Sequence, residues 1–185
     1  IIHMEVGQPG TPAPKIAKDY ITNEINKNNL GYTVSLGLPA LRTKISKLYG
    51  DWYNLDLNPN RIVVTTGSSG AFILSFSALF DSGDRVGIGS PSYPSYRQIL
   101  KSLSLETVDI QTKLQNRFQP VPEDITNNNL NGILVASPAN PTGSMLDKQS
   151  LENLINTANE NNVSFISDEI YHGIQYENNP TSALE

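Results

Sequence analysis

Apolar residues recur at helical spacing in two early stretches. Ile16, Ala17, Tyr20, Ile21 and Ile25 share one face of 13–26. Leu41, Ile45, Leu48 and Tyr49 share one face of 41–53, and Pro39 suits a first helical turn. From Arg61 the pattern changes, and short apolar runs alternate with helical segments. Ile62-Val63-Val64-Thr65 is a β-branched run of strand type, followed by a helix over 71–80. Further strands are predicted at 85–88, 105–110, 132–136 and 163–167, with helices at 96–101 and 147–160. This alternation predicts an α/β fold, a mostly parallel sheet flanked by helices. The Asn-rich stretches 26–29, 127–131 and 159–162 read as loops or helix ends.

Composition narrows the function. Thirteen Lys and Arg against eighteen Asp and Glu leave a formal charge of −5, which favours neither nucleic acid nor an anionic membrane surface. The chain has no Cys, so disulfides, thiol nucleophiles and Cys-metal sites are excluded. Its two histidines, His3 and His172, are far apart, which speaks against a His-rich metal site. No apolar run reaches the ~20 residues of a membrane span, and the N-terminus lacks a signal-peptide pattern. A soluble cytoplasmic protein is the expectation, and the start without Met reads as a chain trimmed at its front.

In parallel sheets, ligands sit beyond the strand C-termini, and four predicted strand ends carry candidate chemistry. Thr66-Gly67-Ser68-Ser69-Gly70 offers small residues, two serine hydroxyls and a helix N-terminus: a phosphate cradle or a plain helix cap. Gly89-Ser90-Pro91-Ser92-Tyr93-Pro94-Ser95-Tyr96 is a rigid turn with two prolines and two aromatics, which pack on the core or present a flat ring to a ligand. Ser137-Pro138-Ala139-Asn140-Pro141-Thr142-Gly143 is a turn in which Asn140–Pro141 is a candidate cis bond. Asp168-Glu169 places two acids at a buried strand end, where each needs a partner. Mg²⁺ and phosphohydrolase chemistry is the alternative use of that pair.

This combination resembles the class I/II aminotransferases of the fold-type I pyridoxal-phosphate (PLP) family. The resemblance runs from Gly7-Gln8-Pro9 to Tyr171, through Tyr32, Gly37-Leu38-Pro39-Ala40-Leu41-Arg42, Asn140-Pro141-Thr142-Gly143 and Ser167-Asp168-Glu169-Ile170-Tyr171. It implies that Asp168 pairs with the pyridine nitrogen of PLP, and that Asn140 and Tyr171 hydrogen-bond the ring's phenolic oxygen. Tyr93 would stack on the ring, while Gly67, Ser68 and Ser69 would hold the phosphate. Tyr32 resembles the tyrosine that reaches the neighbouring subunit's cofactor, which implies a homodimer. Gly7 and Asn140 would border the substrate carboxylate. His172 lies outside the family pattern and is assigned a surface or packing role, and Glu169 a supporting or structural one. His3 is read as a terminal residue.

The resemblance divides the chain into an N-terminal segment and helix, 1–30, and a partial PLP-binding large domain, 31–185, without the small domain. It puts the Schiff-base lysine beyond Glu185, so no catalytic residue is assigned and the 185 residues alone are expected to be inactive. The implied reaction of the parent protein moves an amino group between an amino acid and a 2-oxo acid. A PLP-dependent lyase on the same scaffold, a PLP-sensing regulatory domain and an inert remnant are the alternatives.

Overall fold

The computed structural model describes residues 2, 7, 10–27, 31–176 and 178–185. His3, Gln8, Pro9, Asn28 and Asn29, which figure in the reading above, lie outside them. The chain divides into two compact units, 1–35 and 36–185. The first holds helix α1 (Lys15–Ile25), which forms where its spacing predicts yet buries none of its residues.

The second unit opens with α2 (Pro39–Tyr53), with Pro39 in its first turn. Arg42 is buried because carbonyls occupy its guanidinium: Nε donates to Gly37 O at 3.2 Å and Nη1 to Pro59 O at 2.9 Å. Gly37 has φ +95°, and a Cβ there would lie 2.6 Å from Val64 Cβ, so the close approach of the two segments requires glycine.

The strand predicted at 62–65 is not formed. The segment's backbone is tied to 36–37 through Val64 N–H to Leu36 O at 3.0 Å, and no described segment forms a ladder with it. β-Branched residues favour extended backbone, but a strand exists only where a neighbour completes its hydrogen bonds.

Four parallel strands make the sheet: β1 (Arg85–Ser90), β2 (Glu106–Gln111), β3 (Gly132–Ala136) and β4 (Ser164–Asp168), in the order β2-β1-β3-β4. Helices α3 (Gly67–Leu79) and α4 (Pro94–Ser102) lie on one face, α5 (Pro122–Thr126) and α6 (Lys148–Glu160) on the other. Side chains of a strand alternate between faces, so Leu134 joins Phe72, Phe76, Val86, Ile88 and Leu100, while its neighbours Ile133 and Val135 join Ile125, Leu151 and Leu154. Burial on both faces explains the near-continuous apolar runs seen in the sequence. Asp147 caps α6 by accepting from Ser150 N–H at 2.8 Å. α3 has no one-sided apolar stripe, and it buries Phe72 and Phe76 while Ile73, Leu74 and Leu79 stay exposed. The short helix α5 was not anticipated. Asp124 holds its start by accepting from Val121 N–H at 2.9 Å.

From β1 the chain runs outward to β2, then returns to β3 on the opposite side of β1. The loops beyond β1 and β3 therefore part, and this reversal is where an open α/β sheet leaves a ligand crevice. No helix among the described residues is long and apolar enough to cross a membrane.

Candidate functional site

Asp168 is the last residue of β4, in register with Ala136 at the end of β3. It is buried, with 8% of its surface exposed. Tyr96 donates its hydroxyl to Asp168 Oδ2 at 2.5 Å, and Ile170 N–H donates to Oδ1 at 3.1 Å. Among the described residues no basic side chain forms an ion pair with it. A buried carboxylate with two donors and no cation leaves lone pairs and charge unmatched. Burial, then the hydrogen bond to Asp168 and its charge, push the Tyr96 hydroxyl well above the ordinary tyrosine range.

Tyr96 is held edge-on by two rings, Phe72 at 5.2 Å and Tyr93 at 5.5 Å between centroids. Phe72 lies one turn into α3, so this contact links Asp168 to the helix that begins at Gly67. Gly67 has φ +77°, with its N–H on Thr65 O at 2.9 Å, while Thr65 Oγ1 donates to Gly67 O at 2.8 Å. The hydroxyls of Ser68 and Ser69 bond to no described residue. Thr66 makes no side-chain cap, so the N–H groups of Ser68 and Ser69 stay available. Tyr93, half-buried, immediately precedes α4.

Beyond β3, the Asn140–Pro141 bond is cis, as are Ser137–Pro138 and Ser90–Pro91. The loop closes on itself through Gly143 N–H to Ala139 O at 2.7 Å and Ala139 N–H to Ser144 O at 2.9 Å. Gln119, buried, braces it from outside. Its Nε2 donates to Ala136 O at 3.1 Å and Ser144 O at 3.0 Å. Asn140 Nδ2 donates to Tyr171 Oη at 3.4 Å. Both residues line a cavity of about 470 Å³ with Arg117, Pro141, Met145 and Ile174, a volume in the range of small-molecule sites.

Glu169 takes no part in this cluster. It accepts from Ser167 Oγ at 2.9 Å, Ser182 Oγ at 2.9 Å and Ala183 N–H at 2.7 Å. The two acids thus do not converge, and among the described residues no three His, Asp or Glu side chains could hold a metal ion. His172 has only 5% of its side chain exposed and bonds to Tyr53 and Ser137, so it packs inside rather than on the surface. Gly7 and Tyr32 belong to the first unit and are exposed.

The structure therefore joins Asn140 with Tyr171 directly, and Asp168 with Tyr93 and the start of α3 through Tyr96 and Phe72. Sequence reasoning placed Tyr96 beside Tyr93 in the strand-end turn but missed its bond to Asp168. It also missed Gln119 and the Tyr53–His172 contact, for which the sequence holds no local signal.

The comparisons with known proteins agree with this geometry. A family model described as aminotransferase class I and II matches residues 1–184. The valine–pyruvate aminotransferase of Mycobacterium tuberculosis is 40% identical over 99% of the chain and 48% of its own length. A solved aminotransferase structure from the same organism superposes with a TM-score of 0.91 at 42% identity, covering 96% of this chain and 49% of that one. Aspartate aminotransferase from Thermus thermophilus with maleate gives a TM-score of 0.90 at 28% identity, over 97% and 48%. The chain spans about half the length of the relatives it matches. With its parallel sheet, its strand-end residues and a match along nearly its whole length, the chain belongs to the class I and II aminotransferase family.

Proposed function

We propose that this chain carries the PLP-holding residues of an aminotransferase acting on an α-amino acid and a 2-oxo acid. The observation that carries the reading is Asp168, a buried carboxylate with hydrogen-bond donors but no cation paired with it among the described residues. Burying a charge without a counter-charge is costly, and a protonated pyridine nitrogen supplies the missing partner.

The donor set fits the rest of PLP. Asn140 Nδ2 and Tyr171 Oη, neighbours at 3.4 Å, would donate to the phenolic oxygen. The N–H groups at the start of α3 and the hydroxyls of Ser68 and Ser69 would take the phosphate, with Gly67 letting the backbone come close. The Tyr93 ring would cover one face of the pyridine. When bound, PLP supplies an electron sink for negative charge developing at the substrate's Cα. Asp168 keeps the proton on the ring nitrogen that makes this sink effective, and Tyr96 orients Asp168 for the task. Asn140 would border the substrate carboxylate. The relatives' names differ in substrate, valine and pyruvate in one and aspartate in the other, so the shared class is the amino acid and 2-oxo acid pair. Tyr32, exposed in the first unit, supports a homodimer in which it reaches the partner's cofactor. A cytoplasmic location accords with this metabolic role.

Titrating the purified chain with PLP tests the reading, with the cofactor's absorbance as readout. Saturable binding that Asp168→Asn weakens is expected. Absence of saturable binding would overturn it. With the protein that the native gene produces, a new amino acid from valine and pyruvate marks a transferase, whereas pyruvate and ammonia from an amino acid mark a lyase.

A further inference from the structure

Tyr171 and His172 are adjacent in the turn after β4, but their side chains part. Tyr171 lines the 470 Å³ cavity, while His172 turns inward with 5% of its side chain exposed. Its Nε2 lies 3.0 Å from Ser137 O. A carbonyl only accepts, so Nε2 carries the proton and donates. Its Nδ1 lies 2.5 Å from Tyr53 Oη. With the proton on Nε2, Nδ1 accepts and the Tyr53 hydroxyl donates. Burial, then the charge of Glu169, push the Tyr53 hydroxyl up to about 12, which keeps that donor protonated.

Each end of this relay is anchored. Ser137 begins the loop that carries Asn140, and its other polar atoms are used: N–H on Asp168 O at 3.1 Å, Oγ accepting from Leu146 N–H at 2.9 Å. Tyr53 ends α2, its ring 5.3 Å from Tyr49 and 5.8 Å from the imidazole. Trp52 closes over the same turn, where a Cβ on Gly173 would meet its ring at 2.8 Å. Glu169 Oε2, at 3.8 Å from Nδ1, is beyond hydrogen-bond range and already accepts from Ser182.

We propose that His172, clamped by Tyr53, is a positioning residue that fixes the Asn140–Tyr171 pair by tying the turn of one to the loop of the other. It does not touch the cofactor. The proposal rests on the PLP reading for its purpose, though the clamp itself does not. The Asn140–Tyr171 bond is long, at 3.4 Å, so a small shift of either loop would break it. His172 carries the side-chain bridge between them.

Three variants of the chain test this. His172→Leu fills the space without hydrogen bonds, His172→Gln restores a donor for Ser137 O, and Tyr53→Phe frees only Nδ1. In the cofactor-free protein, ¹⁵N NMR is expected to show His172 protonated at Nε2 and bare at Nδ1, with the Nδ1 signal moved in Tyr53→Phe. The Asn140 side-chain amide resonances should shift and broaden in His172→Leu and recover in His172→Gln. PLP affinity should fall about tenfold in His172→Leu, the scale of one lost hydrogen bond, with an altered cofactor absorbance that His172→Gln restores. A proton on Nδ1, or unchanged Asn140 resonances in His172→Leu, would overturn the proposal. If His172→Leu fails to fold, the Nδ1 signal and Asn140 resonances of Tyr53→Phe decide: unchanged signals refute the clamp. If wild type binds no PLP, the function reading fails and the NMR result still judges the clamp.

Discussion

Asp168 and Glu169 are successive acids at the end of one strand, and their surroundings are opposite in kind. Glu169 faces three donors, two serine hydroxyls and a backbone N–H. Asp168 faces one phenol and one N–H, and no cation among the described residues. β4 ends at Asp168, and Glu169, the first residue past it, turns instead to Ser167, Ser182 and Ala183. The donor inventory separates their duties. An ionised carboxylate has about four lone-pair sites, so Glu169 is nearly satisfied by the chain itself, whereas Asp168 keeps about two sites open. On the proposed function, one acid fastens the fold and the other receives the cofactor's ring nitrogen.

The strongest way to break this contrast is to neutralise Asp168. In Asp168→Asn the amide can accept from Ile170 N–H and donate to the Tyr96 oxygen, so the fold should keep its stability. PLP affinity should fall about a hundredfold, the upper scale for a hydrogen bond to a charged group. Thermal melting beside a PLP titration reads both. A large loss of stability with affinity retained would assign Asp168 to the fold.

The mirror experiment is Glu169→Ala. Three donors lose their acceptor, and unfolding in urea should show a loss of about 2–3 kcal/mol. PLP affinity, measured where the variant is folded, should stay near wild type. Equal damage to affinity would show that the two acids act as one unit and dissolve the contrast.

Much of this was legible from residue order. Alternating periodicity located α3, α4, α6 and the four strands because each buries a face or a run in one of the two core clusters. The run 62–65 misled because β-branching reports backbone preference, not the presence of a neighbour. The five residues of α5 are too few to show a helical period. At the site, Asn140, Asp168 and Tyr171 were readable because each lies in a short motif. Their supports were not, because the bonds join distant residues: Tyr96 to Asp168 across 72 positions, His172 to Ser137 across 35 and Tyr53 to His172 across 119. No local pattern encodes such pairs. Only the folded sheet brings them together.

The smallest expected effect sharpens the Asp168 side of the contrast through pH. Tyr96 is raised above the ordinary tyrosine range first by burial and then by Asp168. A group raised on folding holds its proton longer in the native state, so its contribution is intact below about pH 10, the unfolded tyrosine value. That contribution is lost as pH climbs further, because the unfolded chain releases the proton and the folded one does not. Tyr53, raised to about 12, acts in the same direction. Tyr96→Phe removes one of the two donors to Asp168 and should cost about 1–2 kcal/mol at neutral pH. Above pH 10 its stability should fall less steeply than that of wild type, so the two curves converge. Parallel curves from denaturant unfolding between pH 7 and pH 11 would mean that the Tyr96 hydroxyl does not hold Asp168. The unfilled capacity at that carboxylate would then be larger still.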